Sequence, residues 1–216
     1  MDDVAVLRLL QVVDSQVPVG GFAHSYGLEA YGPLGVTPFG LSQLVDLHVS
    51  LGSLHLDLAA CASARLWAPD EARLEALGEE LTAWKAVRGP REASLQVGRR
   101  LTYLAQRALG LCPPRLSHPH AAVVLGALAA TLEIPPRMTL LAFAHASLAG
   151  LLAAATRCLR IGPLRAQTIL ADIHPSVVET VEEVLRDPEA ALWAATPGWD
   201  IRSHQQAFLT TRLFLS

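Results

Sequence analysis

The chain has 216 residues, 51% of them hydrophobic, and a formal net charge of −3 with an isoelectric point near 6.2. This length and apolar content suffice to bury one core, so we predict a single domain over residues 1–216. The weakly negative charge disfavours a general nucleic-acid binder, which usually carries a strongly basic surface.

Several absences exclude common enzyme classes. Lys85 is the only lysine and no Gly-x-x-x-x-Gly-Lys-Ser/Thr motif occurs, which excludes the usual P-loop nucleotide hydrolases. The chain has no asparagine, which excludes a Cys-His-Asn triad. Three widely spaced cysteines without a Cys-x-x-Cys indicate reduced, buried thiols, and the acidic Met1-Asp2-Asp3 start is not typical of a secretory signal. We therefore expect a cytoplasmic protein that is not an enzyme.

Periodicity and helix-boundary signals predict an all-α fold of nine or ten helices with no convincing strand. Val6, Leu9, Leu10 and Val13 form the apolar face of a first helix. Later helix starts are indicated by Thr37-Pro38, by Asp70-Glu71 and by a capping box over residues 176–179. Breaks at prolines and glycines divide the chain into helix-length pieces, the last break being Pro197-Gly198. We predict a flexible C-terminal tail from about residue 197.

The segment after the first helix is the most informative one. It reads Pro18-Val19-Gly20-Gly21-Phe22-Ala23-His24-Ser25-Tyr26-Gly27-Leu28-Glu29. Adjacent glycines allow a sharp turn or a close backbone approach, and they lead into a run of polar and aromatic side chains. The segment is either an ordinary helix–helix turn or a loop that presents functional residues.

Charge is unevenly distributed between two neighbouring segments. Residues 70–80 are mostly acidic, whereas residues 85–115 carry one lysine and six arginines against the single acid Glu92. Two helices with complementary exposed faces explain this pattern. Alternatively, the arginines bind an acidic partner, since guanidinium groups suit bidentate carboxylate contacts. Nucleic acid is a third option, which the net charge disfavours.

Residues 138–156 contain no charged side chain and are long enough to cross a bilayer. Their Ala, Ser and Gly content, with His145 in the middle, instead indicates a buried Ala/Leu-rich central helix rather than a membrane span. Ala142, Ala146, Gly150 and Ala154 recur every four residues. This stripe of small side chains serves either core packing or self-association.

The histidines give only weak metal signals. His48 and His55 lie two helical turns apart, about 10 Å along the axis, which is too far for one ion without further ligands. His118-Pro119-His120 is a loop pair with weak potential for nickel or copper. We assign no metal ligand and no directly bound cofactor.

Four segments, in the same order along the chain, resemble the UreF family. Residues 9–29 resemble its opening, and Arg91-Glu92-Ala93-Ser94-Leu95-Gln96-Val97-Gly98-Arg99 resembles its Arg-Glu-x-Ser helix. Residues 151–167 are similar to its penultimate core helix, and residues 203–216 to its closing motif. Two positions depart from the family pattern: Gln205 replaces a common Glu, and Leu215 replaces an Arg.

The resemblance implies an all-α, cytoplasmic, non-catalytic and often dimeric protein. Such proteins join UreD (also called UreH), recruit the GTPase UreG, and support GTP-dependent delivery of nickel to apo-urease; nickel is handled by that complex. The partner-binding residues that we expect are Gly20, Gly21, Phe22, His24, Ser25, Tyr26, Glu29, Arg91, Ser94, Arg99, His204 and Arg212. Self-association is expected at Ala142, Ala146, Gly150 and Ala154.

Two other classes of protein stay open at this point. One is a helical ligand-binding or regulatory module. The other is a metal-dependent helical hydrolase that uses His48, His55 and Asp57. For the regulatory module, neither a DNA-reading helix nor a ligand-pocket signature is recognisable. The hydrolase requires a cluster of metal ligands.

Overall fold

The computed structural model describes residues 3–215, except for the side chain of Phe22. Within that range the fold is all-α, as predicted, with ten α-helices and no strand. The α-helices are α1 Asp3–Val13, α2 Pro38–Ser50, α3 Ser53–Trp67, α4 Glu71–Trp84, α5 Arg88–Ala108, α6 Ala121–Thr131, α7 Pro136–Cys158, α8 Pro163–Asp172, α9 His174–Arg186 and α10 Pro197–Gln205. Short 3-10 turns cover Gly21–Ala23, Leu28–Leu34 and Gln206–Phe208.

Two of the three predicted helix starts are confirmed by their caps. The Thr37 hydroxyl accepts from the Gly40 amide at 3.1 Å, and the Asp70 carboxylate accepts from the amides of Ala72 and Arg73 at 3.1 Å. The third prediction, a helix start at a capping box over residues 176–179, is wrong, because α9 already begins at His174. Pro175 occupies the first turn there, where its missing N–H costs nothing.

The centre of the fold is α3 packed against α6. Residues 54–64 of α3 are buried except for the partly exposed Asp57, and residues 122–129 of α6 are buried without exception. Both helices are rich in alanine, so their backbones approach closely over a continuous apolar contact. The structure corrects the burial of the predicted central helix: α7 contacts α3, α8 and α9, but it buries one face only, and its His145 is exposed.

Two helical stretches, Pro38–Trp67 and Pro136–Cys158, are long and apolar enough to cross a membrane by length and composition. Both pack into the core of the protein: the first contains α3, and the second contributes Leu140, Leu148 and Leu151 to the same apolar cluster. The thiol prediction is correct for Cys61, which is buried, but Cys112 is exposed and Cys158 is intermediate.

The C-terminal segment returns to the first loop. After α9 the chain passes the base of α3 and forms α10, which lies against the 3-10 turn Leu28–Leu34 and against α5. Residues 206–215 then run back to the other 3-10 turn, where the Leu215 amide donates to the Ala23 carbonyl at 2.9 Å. Two segments about 185 residues apart in sequence are therefore in direct contact.

Candidate functional site

The backbone of the segment 18–29 allows α10 to pack closely against it. Tyr26 and Gly27 both have positive φ, of 52° and 92°. A Cβ on Gly27 would lie 2.9 Å from the Cα of Ser203, so α10 approaches too closely for a side chain at this position. The turned-out Tyr26 carbonyl accepts from the Trp199 indole at 2.8 Å and from the Ser203 hydroxyl at 3.4 Å. We call residues 18–29 together with residues 197–215 the loop–tail unit.

Glu29 joins the two halves of the loop–tail unit. Its side chain is buried, the residue being only 6% exposed. One carboxylate oxygen accepts from the Gln206 amide at 3.0 Å and from the Phe214 backbone N–H at 3.3 Å, and the other accepts from the Leu213 backbone N–H. The Ser25 hydroxyl donates to the Gln206 side-chain oxygen at 3.2 Å. These buried, charge-assisted bonds fix the tail on the loop.

Replacing Glu29 with alanine is expected to release the tail. The change leaves three donors without their acceptor, so we expect the free energy of unfolding to fall by about 2–3 kcal/mol. Hydrogen exchange at the Leu213 and Phe214 amides is expected to accelerate strongly. Glu92→Ala, at an exposed position on α5, is the control and should change neither quantity. Unaltered protection of both amides in Glu29→Ala would contradict this role of Glu29.

A polar cluster lies beneath α10. The ammonium of Lys85 pairs with both carboxylate oxygens of Asp57, at 2.9 and 3.0 Å, with the lysine side chain almost wholly buried. His48 stacks on Trp199 at 4.8 Å between ring centroids; burial and then the Lys85 charge lower the pKa of this imidazole to about 4. Burial and then the Asp57 charge raise the pKa of Tyr26 to about 12. At neutral pH both groups are therefore uncharged.

The predicted residues on α5 have internal contacts, with one exception. The Arg91 guanidinium donates to the carbonyls of Lys85 and Ala86 at 3.1 and 3.3 Å, which caps the C-terminal end of α4. The Ser94 hydroxyl lies 3.0 Å from Nδ1 of His120. Arg99 is exposed and lines, with Arg115, a cleft of about 410 Å³ between α5 and the loop that follows it.

His120 is a buried link between α4, α5 and α6. Its Nε2 lies 3.0 Å from the Thr82 hydroxyl, which itself donates to the Gly78 carbonyl. Nε2 must therefore donate to Thr82, and Nδ1 accepts from the Ser94 hydroxyl. Burial, followed by the Lys85 charge, lowers the pKa of His120 to about 3. The imidazole is held neutral.

This arrangement predicts a pH dependence of stability. In the unfolded chain the imidazole titrates near pH 6.5. Below that pH the unfolded state binds a proton, whereas His120 in the folded state stays unprotonated. The contribution of neutral His120 to the free energy of unfolding is complete above pH 6.5. It is lost as the pH falls towards about 3, by roughly 1.4 kcal/mol per pH unit. We expect His120→Gln to flatten the slope of unfolding free energy between pH 6 and 4, measured by urea denaturation. The control is His204→Gln, an exposed site, which should keep the wild-type slope.

The remaining predicted loop residues are mostly covered. Gly20 precedes the first 3-10 turn and Gly21 begins it, and the side chain of Phe22 lies outside the described part of the structure. His24 is buried 5.9 Å from the Tyr26 ring, and burial, then Arg100, lowers its pKa. Direct contact of a partner with these residues stays a prediction.

The tail of the loop–tail unit exposes three large apolar side chains, of which only Leu215 is named among the sequence motifs. Phe208 is 75% exposed and Leu213 is 64% exposed, with Leu215 similarly exposed nearby in the chain. His204 and Arg212 are also exposed; the His204 ring lies 5.4 Å from Phe208, and Arg212 donates to the Leu215 carbonyl at 3.1 Å. Phe208 and Leu213 are irregularly spaced in the chain, so a search for periodicity gives no signal for them.

The small-residue stripe on α7 is only partly accessible. Ala142 and Ala146 are half-buried and Gly150 is exposed, but Ala154 is fully buried. A spacing of four residues advances about 40° around a helix at each step, so the stripe rotates into the core by its fourth member. Ala154 is thus placed for core packing, whereas self-association through the other three stays a prediction.

The histidine pairs of the sequence analysis are not brought together. His48 stacks on Trp199, whereas His55 lies against Trp193 with ring centroids 4.2 Å apart. His118 is half-buried and faces Glu75, whereas His120 is turned inward. Within residues 3–215, Glu75, Glu79 and His118 form the one group with three convergent metal-ligating side chains.

Comparison with known proteins agrees with the resemblance in the motifs. The UreF family model matches residues 38–174. "Urease accessory protein UreF" of Actinobacillus pleuropneumoniae is 31% identical over 226 residues, covering 96% of this chain and 97% of the relative. The proteins of that name from Haemophilus influenzae (strain PittEE) and Picosynechococcus are 30% and 26% identical, covering 96% and 97% of this chain and 94% and 99% of each relative. On this match over most of its length, the chain belongs to the UreF family of urease accessory proteins.

Proposed function

We propose that this protein is a non-catalytic cytoplasmic scaffold for urease maturation. In this role it joins UreD/UreH and recruits the GTPase UreG, and the assembly delivers nickel to apo-urease in a GTP-dependent step. Membership of the UreF family supports the urease role. The large exposed apolar side chains of the tail support a function in protein binding, because neighbouring exposed apolar side chains are typical of interaction sites.

Within this proposal, Phe208, Leu213 and Leu215 are the apolar contacts to the UreD/UreH partner. Large side chains on an ordered backbone lose little entropy on binding and exclude water from an interface. Ser25, Tyr26 and Glu29 act indirectly, because they hold the tail that carries those side chains. His204 and Arg212 form the polar edge of this surface.

The arginines at the α5 cleft support a second contact. Arg99 and Arg115 are exposed and line the same cleft of about 410 Å³. Guanidinium groups in this position suit carboxylates of an acidic partner, as the sequence pattern suggested. We assign this surface to UreG or to apo-urease.

Self-association is assigned to the exposed side of α7. Ala142 belongs to the same apolar cluster as Leu9 of α1, which places α1 beside the small-residue stripe. Leu7 and Leu10 of α1 point outward, so the flat stripe has an apolar border. A second copy of the chain would bury both features in a symmetric contact.

The self-association proposal predicts the effect of a bulky charge on the stripe. Light scattering with size-exclusion chromatography should show a dimer for the wild type and a monomer for Gly150→Arg. Ala171→Arg, at an exposed position on α8, is the matched control and should stay dimeric. A wild-type monomer, or a dimeric Gly150→Arg protein, would contradict this surface.

The proposed function is tested by reconstitution. The chain should co-elute with UreD/UreH, the binary complex should then retain UreG, and activation of apo-urease by nickel and GTP should require all three. If the chain elutes alone under these conditions, or if urease is activated equally without it, the proposal is wrong.

A further inference from the structure

Outside the loop–tail unit, the loop between α5 and α6 lies directly on α4. A Cβ on Gly78 would lie 2.5 Å from the His118 carbonyl oxygen, so only a glycine allows this approach. Glu75 and Glu79 are one helical turn apart on α4 and flank Gly78 in sequence. The contact therefore places the imidazole of His118 beside two carboxylates of one helix face.

Two of the three side chains are held in place. Nδ1 of His118 lies 3.3 Å from one oxygen of Glu75, and the other oxygen of Glu75 accepts from the Ser117 backbone N–H at 2.8 Å. Glu79 is exposed, and its carboxylate completes a group in which the ligand atoms all lie within 4.8 Å of one another. Ligands of one metal ion lie roughly 3 Å apart when each bond is about 2.0–2.2 Å long. Because the Glu79 side chain is exposed, a change of its rotamer closes that difference.

The donor set selects the kind of ion. One imidazole nitrogen and two carboxylates are typical ligands of Zn²⁺ and of neighbouring first-row ions such as Co²⁺ and Ni²⁺. Ca²⁺ requires six or more oxygen ligands and Mg²⁺ prefers oxygen ligands alone, so neither is suited to this site. The cation also offsets the repulsion between two carboxylates on adjacent turns.

We propose that Glu75, Glu79 and His118 bind one divalent first-row transition-metal ion through three protein ligands, with water in the remaining positions. This site pins the α5–α6 loop, including Ser117, to α4. It does not depend on the proposed partners, because binding is a property of the isolated chain.

The experiment uses the full chain without an affinity tag, freed of metal by a chelator. Zn²⁺ is titrated by calorimetry, and Co²⁺ binding is followed by visible absorption, which reports the coordination geometry. We expect one saturable site in the wild type and at least a tenfold loss of affinity in both Glu79→Gln and His118→Gln. The matched control is Glu80→Gln, the adjacent exposed acid on α4, which should bind like the wild type.

Glu79→Gln keeps the test valid if His118→Gln disturbs the loop, because Glu79 is exposed and removing its charge should leave the melting temperature of the metal-free protein unchanged. The absence of a saturable site in the wild type would overturn the proposal. Wild-type affinity in Glu79→Gln and His118→Gln would also overturn it, since the ion would then be bound by other histidines.

Discussion

Replacing Lys85 with methionine is expected to lower the free energy of unfolding by about 3–5 kcal/mol, measured by urea denaturation. Lys85 neutralises Asp57, the only carboxylate on the largely buried helix α3. Methionine fills much of the same space but leaves the carboxylate unpaired in a poorly solvated position. The desolvation cost of Asp57 is then no longer offset by attraction to the ammonium.

A double variant is the control for this expectation. Asp57→Leu combined with Lys85→Met removes both charges and should recover most of the lost stability, because the uncompensated carboxylate is gone. If Lys85→Met is as stable as the wild type, Asp57 is solvated well enough to need no partner. A double variant as unstable as Lys85→Met would show that packing of the lysine stem, rather than charge, stabilises this site.

Gly98→Ala is the second substitution with a large expected effect. A Cβ at this position would lie within bonding distance of the Pro119 carbonyl oxygen and 2.9 Å from the carbonyl carbon of His120. These are backbone atoms of the segment just before α6, so they cannot move aside as the end of a flexible side chain would. We expect separation of α5 from α6 and a loss of about 2–4 kcal/mol in unfolding free energy.

Gly150→Ala is the matched control for Gly98→Ala, with both proteins compared at concentrations where they are monomeric, because Gly150 also lies in the proposed self-association stripe. It makes the same chemical change in the middle of a helix, but a Cβ at Gly150 meets nothing within 4 Å. The greater helix propensity of alanine should then stabilise the protein by about 0.5–1 kcal/mol. Equal effects of the two substitutions would mean that the close contact at Gly98 carries no energetic cost.

Much of the fold follows from local signals in the sequence. The caps at Thr37 and Asp70 mark helix starts because side-chain oxygens two or three residues away satisfy the free amides. The same local reasoning misplaced the start of α9, where a proline in the first turn competes with the capping box. It also overestimated the burial of α7, since the uncharged run 138–156 has the same composition whether one face or every face of the helix is buried.

The candidate site was predictable in its parts but not in its assembly. The sequence singled out Glu29 and the C-terminal motif separately, yet their hydrogen bonds join residues more than 180 positions apart. Likewise, Ser94 is expected to face a partner, but its hydroxyl contacts His120, the residue just before α6. Local periodicity contains no information on which distant polar groups satisfy each other; only the packed backbone decides that.

The central claim is that the outward face of the docked tail binds the maturation partner. It is tested most directly by capture of UreD/UreH on immobilised protein, using a Phe208→Asp, Leu213→Asp double variant. The matched control is Leu164→Asp on α8, where a leucine 84% exposed is replaced far from the tail in sequence. We predict loss of capture by the double variant and wild-type capture by Leu164→Asp, with all proteins melting alike. Equal capture by all three proteins would contradict the account.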